Sequence, residues 1–218
     1  RPYTVAKMLA ESDKKDLGCH TGTISDAFLE LYKAGKLTNA RKELDTSRSA
    51  WNLAMGSQAL YDWLDAEPDI FHPGDLDYIH SVERISRLSN VISINGGVQL
   101  DLMGQENAES AGTRQLSGIG GQMDFLEGAY RSKGGKGFIC INASRVTKDG
   151  ERKSNIVAAI TSGSAISAPR TMIQYVATEY GIAELSGKSL RERAEAMAAI
   201  AHPDFREELL KYAKENFR

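Results

Sequence analysis

From residue 91 onward, short segments rich in β-branched residues alternate with helix-like segments, and this order constrains the fold more than any other feature. Runs of this kind predict strands. The predicted strands cover residues 91–95, 98–103, 137–143, 155–160 and 173–178. Two helices are predicted after them, one opened by the capping-box pair Ser189 and Glu192 and one opened by Pro203. The alternation predicts an α/β fold, an open layered α/β/α domain with a largely parallel or mixed sheet.

The first ninety residues have a different character. Helical periodicity begins at Pro2 and returns after Ser25 and Ser57. We therefore expect a mostly helical N-terminal segment that belongs to an adjoining domain and its connector. The predicted division is 1–75 for this segment and 76–218 for the main domain.

Composition excludes several classes of partner. The net charge is −2 and the isoelectric point is about 6.1, so no basic face is indicated and no nucleic acid partner is expected. No apolar run approaches the roughly 18 residues that a membrane helix needs, so no membrane partner is expected. Cys19 and Cys140 are far apart and have no metal-ligand spacing. We expect no metal site and a reducing, cytoplasmic setting.

The stretch "QLSGIGGQMDFLEGA", residues 115–129, contains Gly118, Gly120 and Gly121 just before a helix-like run. A glycine-rich turn that enters a helix presents backbone N–H groups and the positive end of the helix dipole, and can hold a phosphate or an oxyanion. Alternatively, the glycines only permit a tight turn. The stretch is not a P-loop, because no Gly-Lys-Ser/Thr sequence follows.

Two polar residues stand at the ends of predicted strands. Asn95 can offer its amide N–H to a developing negative charge, or it can be a turn residue held by its own Asx hydrogen bond. Glu179 follows an apolar strand, where ligands of α/β sheets usually bind, or it caps the next helix.

Taken together, several segments resemble the acetyl-CoA hydrolase/transferase family, in particular the 4-hydroxybutyrate and butyryl-CoA:acetate CoA-transferases. The resemblance extends from about residue 16 to residue 210. Its motifs are "DLGCHTGTISDAFLELYKAGKLTN", "AMGSQALYDWLDAEP", "SINGGVQLDLMGQENAES", "SGIGGQMDFLEGAYRSKGGKG", "YVATEYGIAELSGKSLRERA" and "IAHPDFREEL".

The resemblance implies a two-domain protein of which this chain is the C-terminal half, with the N-terminal half in the same or a separate chain. It implies coenzyme A and acyl-CoA as substrates, a short-chain carboxylate as the acceptor, and an assembly of several copies. In the implied reaction a glutamate attacks the thioester, and an acyl-glutamyl anhydride and then a glutamyl-CoA thioester form. Asn95 and the Gly120–Gly121 backbone then form the oxyanion hole, and Glu179 is a supporting carboxylate. The implied CoA-binding residues are Gly118, Ile119, Gly120, Gly121 and Gln122.

The chain departs from the family at the nucleophile. The family motif is His-Thr/Ser-Glu-Met, and the matching stretch here is "HTGTISD". His20 and Thr21 match, but Gly22 stands where the glutamate is expected, and Gln99 stands where relatives usually have glutamate. Glycine cannot attack a thioester. Three interpretations follow: a transferase with altered or impaired transfer, an acyl-CoA hydrolase in which water attacks directly, or a non-catalytic half that binds acyl-CoA.

Overall fold

The computed structural model describes residues 2–217, which fall into two compact units. The first unit contains the described residues through Val91 together with Glu127–Gly135. The second unit contains Ile92–Leu126 and the described residues from Lys136 onward. The domain division predicted near residue 75 stays a prediction.

Helices and a small parallel sheet make up the first unit. Its strands are β1 (His20–Ile24), β2 (Ser49–Ala54) and β3 (Phe71–Pro73), in the order β1-β2-β3. Its helices are α1 (Pro2–Glu11), α2 (Asp26–Lys33), α3 (Gln58–Ala66), α4 (Leu76–Ile79) and α5 (Val82–Arg87), with a 3₁₀ turn at Pro68–Ile70. The core includes Ile24 from the sheet and Leu60 and Trp63 from α3.

This sheet differs from the expectation of a mostly helical segment. The strand β1 has the sequence "HTGTI", which contains one large apolar residue and a glycine, so it carries little strand signal of its own. Pairing decides its conformation: His20 aligns with Ala50 of β2, and Ala50 aligns with His72 of β3. Because such pairs join residues far apart in the chain, local periodicity does not reveal them.

The second unit carries most of the strands, in agreement with the sequence. Its strands are β4 (Ile92–Gly96), β5 (Gln99–Asp101), β6 (Glu106–Asn107), β7 (Ser110–Ala111), β8 (Arg114–Gln115), β9 (Lys136–Cys140), β10 (Ser144–Val146), β11 (Arg152–Ser154), β12 (Ile156–Val157), β13 (Tyr175–Thr178) and β14 (Gly181–Glu184). The five predicted strands correspond to β4, β5, β9, β12 and β13. The α/β fold class is confirmed.

The principal sheet of the second unit has the order β14-β13-β9-β4. Strands β13, β9 and β4 are parallel, and β14 is antiparallel to β13. A smaller sheet has the order β12-β5-β6. The helix α6 (Gln122–Arg131) lies between β4 and β9 in the chain. Its residues up to Leu126 belong to the second unit, and those from Glu127 onward belong to the first.

The last two helices, α7 (Leu190–Ala199) and α8 (Pro203–Asn216), begin where their caps predict. The Ser189–Glu192 capping box is present at α7, and Pro203 occupies the first turn of α8. Ala194, Met197 and Ala198 are buried at helical spacing, so this face of α7 packs into the core of the second unit.

Arg193 is a buried cation on α7 that holds three backbone carbonyl groups. Its guanidinium donates to the oxygens of Met103 (2.7 Å), Leu185 (2.8 Å) and Arg170 (2.7 Å). It therefore joins three segments that are distant in sequence. Each of these oxygens loses its charged donor if the side chain is removed.

We expect Arg193→Ala to lower the free energy of unfolding by about 3 kcal/mol or more, because a lost hydrogen bond to a charged group costs about 1.5–3 kcal/mol. Urea denaturation measures the change. Arg191→Ala is the matched control on the same helix: Arg191 is an exposed residue paired with Glu195, and its loss is expected to cost less than about 0.5 kcal/mol. Equal effects for the two variants would contradict this role of Arg193.

None of the described helices is both long enough and apolar enough to pass through a membrane.

Candidate active site

The parallel strands of the second unit end at one edge of the principal sheet. Gly96 of β4 aligns with Cys140 of β9, and Cys140 aligns with Ala177 of β13. The polar residues Asn95 and Glu179 therefore lie at the carboxyl edge of strands two positions apart, with backbones about 10 Å from each other laterally. Ligands of open α/β sheets bind at this edge.

Asn95 lies within β4 and is half-buried. Its Nδ2 donates to the hydroxyl oxygen of Ser93 at 2.8 Å. The residue is therefore part of a strand and not of a turn. A side-chain amide has two N–H groups, so this contact leaves a second one for another acceptor.

Glu179 lies between β13 and β14. Thr178 aligns with Gly181, so Glu179 and Tyr180 are the two central residues of a tight hairpin. The alternative in which Glu179 caps a helix is wrong, because the next element is a strand. The Glu179 side chain is exposed, and its Oε2 accepts a hydrogen bond from the backbone N–H of Ala143 at 2.9 Å. This contact orients the carboxylate toward the segment that follows β9.

The glycine segment, Gly118–Gly121, comes immediately before α6 and contains exposed residues from 118 to 120. A helix that connects two neighbouring parallel strands runs back along the sheet, so its N-terminus lies at the carboxyl edge of the strands. The connection β4–α6–β9 is of this type. The topology thus places the glycine segment at the edge that carries Asn95 and Glu179.

Two of these glycines have open space around them. A Cβ placed on Gly118 or Gly120 meets no atom of the described chain within 4 Å, apart from the immediate chain neighbours. Gly120 has a φ of +61°, which favours glycine. Gly118 has no positive φ. Neither packing nor backbone conformation within the described chain explains why Gly118 lacks a side chain.

Beneath this edge lies a residue that the sequence did not reveal, Glu106. It is fully buried, with 0% exposure. Its Oε2 accepts a short hydrogen bond from Nε2 of Gln122. Burial raises the pKa of Glu106 to about 8, and the hydrogen bond from Gln122 acts against that increase. A carboxyl group in a polar stretch such as "GQENAES" carries no sequence signal of burial.

Gly22, the position that the sequence resemblance predicts for the family's nucleophile, lies in the first unit on β1 and is half-buried. His20 lies two residues earlier and therefore on the same face of the strand. Its Nε2 lies 2.8 Å from the carbonyl oxygen of Ile79. Burial lowers the pKa of His20 below its ordinary value, so the imidazole is neutral at pH 7.

The first unit also contains a polar cluster that the sequence did not reveal. Asp45 Oδ1 lies 2.6 Å from His72 Nδ1 and accepts a hydrogen bond from the Tyr78 hydroxyl at 2.9 Å. Burial alone raises the pKa of Asp45, but the hydrogen bonds from Tyr78 and His72 lower it below its ordinary value overall. These contacts join β3 and α4 to the segment before β2.

Comparison with known proteins shows the family to which the chain belongs. Residues 56–213 match the family described as acetyl-CoA hydrolase/transferase C-terminal domain. The chain belongs to the acetyl-CoA hydrolase/transferase family. This confirms the resemblance that the sequence motifs indicated.

Individual members of the acetyl-CoA hydrolase/transferase family match almost the whole chain. This chain is 45% identical over 213 residues to butyryl-CoA:acetate CoA-transferase of Anaerostipes caccae, and the match covers 98% of this chain and 48% of the Anaerostipes protein. It is 42% identical over 212 residues to 4-hydroxybutyrate coenzyme A transferase of Clostridium kluyveri, with 97% and 48% covered. The crystal structure of RipA from Yersinia pestis matches with a TM-score of 0.88 and 39% identity, and covers 98% of this chain and 47% of RipA. The chain thus spans about half the length of these relatives.

Proposed function

We propose that this chain is the C-terminal half of a CoA-transferase that moves CoA between an acyl-CoA and a short-chain carboxylate of the butyrate, acetate or 4-hydroxybutyrate class. The observation that carries the proposal is the open glycine segment at the carboxyl edge of the principal sheet. Gly118 lacks a side chain where no described atom of the chain fills the space. A ligand that approaches the backbone accounts for this.

The proposed site stabilises the thioester oxyanion with N–H groups. The second amide N–H of Asn95 and the backbone N–H groups of Gly120 and Gly121 are the donors. Such pre-arranged donors are worth about 3–4 kcal/mol each in acyl-transfer enzymes. The positive end of α6 adds to the same effect. The remaining residues assigned to CoA binding, Gly118, Ile119 and Gln122, belong to the same segment.

The resemblance assigns the family's nucleophile to position 22, which is a glycine in this chain. Without a carboxylate at that position, no acyl-glutamyl anhydride forms there. Glu179 is the exposed carboxylate at the proposed site, with one oxygen held by Ala143, and its role is to support the acyl group and the incoming acid. We therefore expect transfer to be slow in this protein.

A second candidate function is acyl-CoA hydrolysis, which Gly22 favours because glycine supplies no nucleophile and water can then attack the thioester directly. In that reaction the water oxygen bonds to the thioester carbonyl carbon and the C–S bond breaks. CoA then leaves as the thiol, together with the free acid. A non-catalytic half that binds acyl-CoA is the third interpretation, and it predicts binding without turnover.

An assay of the full-length protein that contains this sequence distinguishes these functions. Butyryl-CoA is supplied with and without acetate. Acetyl-CoA and free CoA are followed as separate products. Acetyl-CoA that depends on acetate supports transfer, and free CoA alone identifies a hydrolase. Binding without either product indicates the non-catalytic half. Absence of CoA binding overturns the proposal.

Three further expectations accompany the proposed function. The N-terminal half that the relatives possess is expected as a partner, in the same chain or a separate one. Assembly into several copies stays a prediction, and so does a cytoplasmic setting. Size-exclusion chromatography with light scattering on the full-length protein tests the assembly.

A further inference from the structure

The backbone of Glu106 pairs with a different segment on each side. On β6 it aligns with Leu100 of β5. Its N–H donates to the carbonyl oxygen of Ala168 at 3.0 Å, and its own carbonyl oxygen accepts from the N–H groups of Ser167 (2.8 Å) and Ala168 (3.2 Å). The backbone from which the side chain projects is therefore fixed by two neighbouring segments.

The Glu106 carboxyl group lies between the two segments that carry the proposed oxyanion donors. One oxygen, Oε2, accepts from Gln122, the first residue of α6 and the residue after Gly121. The other oxygen, Oε1, faces Gly97, which is two residues after Asn95. A Cβ on Gly97 meets Oε1 at 2.8 Å. The missing side chain at Gly97 is thus explained by the carboxyl group beside it.

Oε1 is buried and has no hydrogen-bond partner within the described part of the chain. A buried carboxylate without a cation or a full set of donors is unstable, and such a group takes up a proton instead. The titratable or charged residues on neighbouring elements are Asp101 on β5, Asp124, Glu127, Tyr130 and Arg131 on α6, Lys136 and Cys140 on β9, and Arg170 after Ala168. Asp101 is held by the N–H groups of Met103 and Gln105.

We propose that Glu106 is a positioning residue of the acyl-CoA site. In its protonated form it holds the turn at Gly97 and the first turn of α6 together, so that Asn95 and the glycine segment donate to one oxyanion. Ionisation puts a negative charge beneath those donors, repels the oxyanion and loosens both segments. This inference rests on the proposed function.

The test compares the full-length protein with its Glu106→Gln variant. Glutamine has nearly the same size, keeps an oxygen for Gln122 and does not ionise. The matched control is Glu109→Gln, the same change at a half-buried glutamate on the same stretch. The probe is a ketone thioether analogue of butyryl-CoA, in which a CH₂ group inserted between the sulfur and the carbonyl carbon keeps the carbonyl oxygen but prevents release of CoA, and calorimetry measures its affinity from pH 7 to 9.5.

We expect equal affinities near pH 7 and a growing difference above pH 8. Burial raises the pKa of Glu106 to about 8. The fraction of protein with a protonated Glu106, which is the form that binds, therefore falls about thirtyfold by pH 9.5, and the apparent affinity falls with it. Glu106→Gln is expected to lack this decrease, and Glu109→Gln to show it. The same pH profile for Glu106→Gln and the unmodified protein overturns the inference.

A second measurement does not depend on CoA. The folded protein keeps the Glu106 proton up to about pH 8, whereas an unfolded glutamate loses it near its ordinary pKa. The unfolding equilibrium constant of the unmodified protein should therefore rise about tenfold per pH unit between about pH 5 and 8, relative to Glu106→Gln. If this difference is present and the binding profiles coincide, Glu106 titrates without positioning the site, and the inference is wrong. If the analogue binds at no pH, the proposed function fails, and the inference fails with it.

Discussion

Replacing Gly22 with glutamate is expected to raise the acetate-dependent formation of acetyl-CoA from butyryl-CoA by at least about a thousandfold. Loss of a catalytic nucleophile commonly costs several orders of magnitude, and the substitution returns a carboxylate to the position that the family motif reserves for it. The new carboxylate attacks the thioester carbonyl carbon and the C–S bond breaks, so CoA leaves as a thiolate and an anhydride remains.

The site of this substitution is a strand of the first unit. Gly22 lies on β1 between the aligned pairs Thr21–Trp51 and Thr23–Leu53, and it is half-buried. A glycine inside a strand weakens it, so the strand conformation itself admits a side chain at this position. Gly22→Gln is the matched control, because it has the same size and no nucleophilic oxygen at neutral pH.

The measurement follows acetyl-CoA and free CoA separately for the two variants and the unmodified full-length protein. A gain for Gly22→Glu without a gain for Gly22→Gln supports a site that lacks only its nucleophile. If the unmodified protein already transfers CoA as fast as Gly22→Glu, the glycine at position 22 does not slow the transfer. Glu179 then becomes the candidate nucleophile.

Gly120→Val is expected to weaken binding of the butyryl-CoA thioether analogue by up to about a hundredfold. A valine side chain at this position occupies the space of the proposed thioester, and forcing extra atoms into a filled space costs about 1–3 kcal/mol, where each 1.4 kcal/mol is about tenfold in affinity. No described atom lies within 4 Å of the added Cβ, apart from chain neighbours, so the folded chain itself has room for it.

Backbone strain needs its own control, because Gly120 has a φ of +61°. Gly187 has a φ of +71° and is likewise free of described neighbours within 4 Å of an added Cβ. Gly187→Val therefore carries similar strain, about 1–2 kcal/mol, at a site without an assigned role. Gly118→Ala adds a small side chain without this strain. Unchanged affinity in Gly120→Val shows that the glycine segment is not the acyl-CoA site.

The elements that the sequence predicted well are those with strong local patterns. The segment "VISIN" is predicted as a strand over residues 91–95, and the observed strand β4 begins and ends one residue later. The capping box at Ser189 begins α7, and Pro203 begins α8. In each case the interactions that specify the element lie within a few residues of one another, so a single sequence contains them.

The elements that the sequence missed depend on distant partners. The strands of the first unit lack a strong local strand pattern, and they form because β1 pairs with β2 and β2 pairs with β3. The hairpin at Glu179 depends on β14, whose pairing with β13 rules out the alternative that Glu179 caps a helix. The polar cluster at Asp45 joins residues 27 and 33 positions apart.

Local sequence specifies much of the candidate site, since the glycine segment, Asn95 and Glu179 are recognisable by residue type and by their places at strand ends. The family is also recognisable from the sequence, and the departure at Gly22 is predicted from it. Tertiary structure alone decides that Glu106 is buried, that its carboxyl group lies beside Gly97 and Gln122, and that its pKa is raised to about 8. The physical reason is that burial and its electrostatic cost are set by atoms from β4, β6, α6 and the segment at Ala168. These atoms meet only when the chain folds.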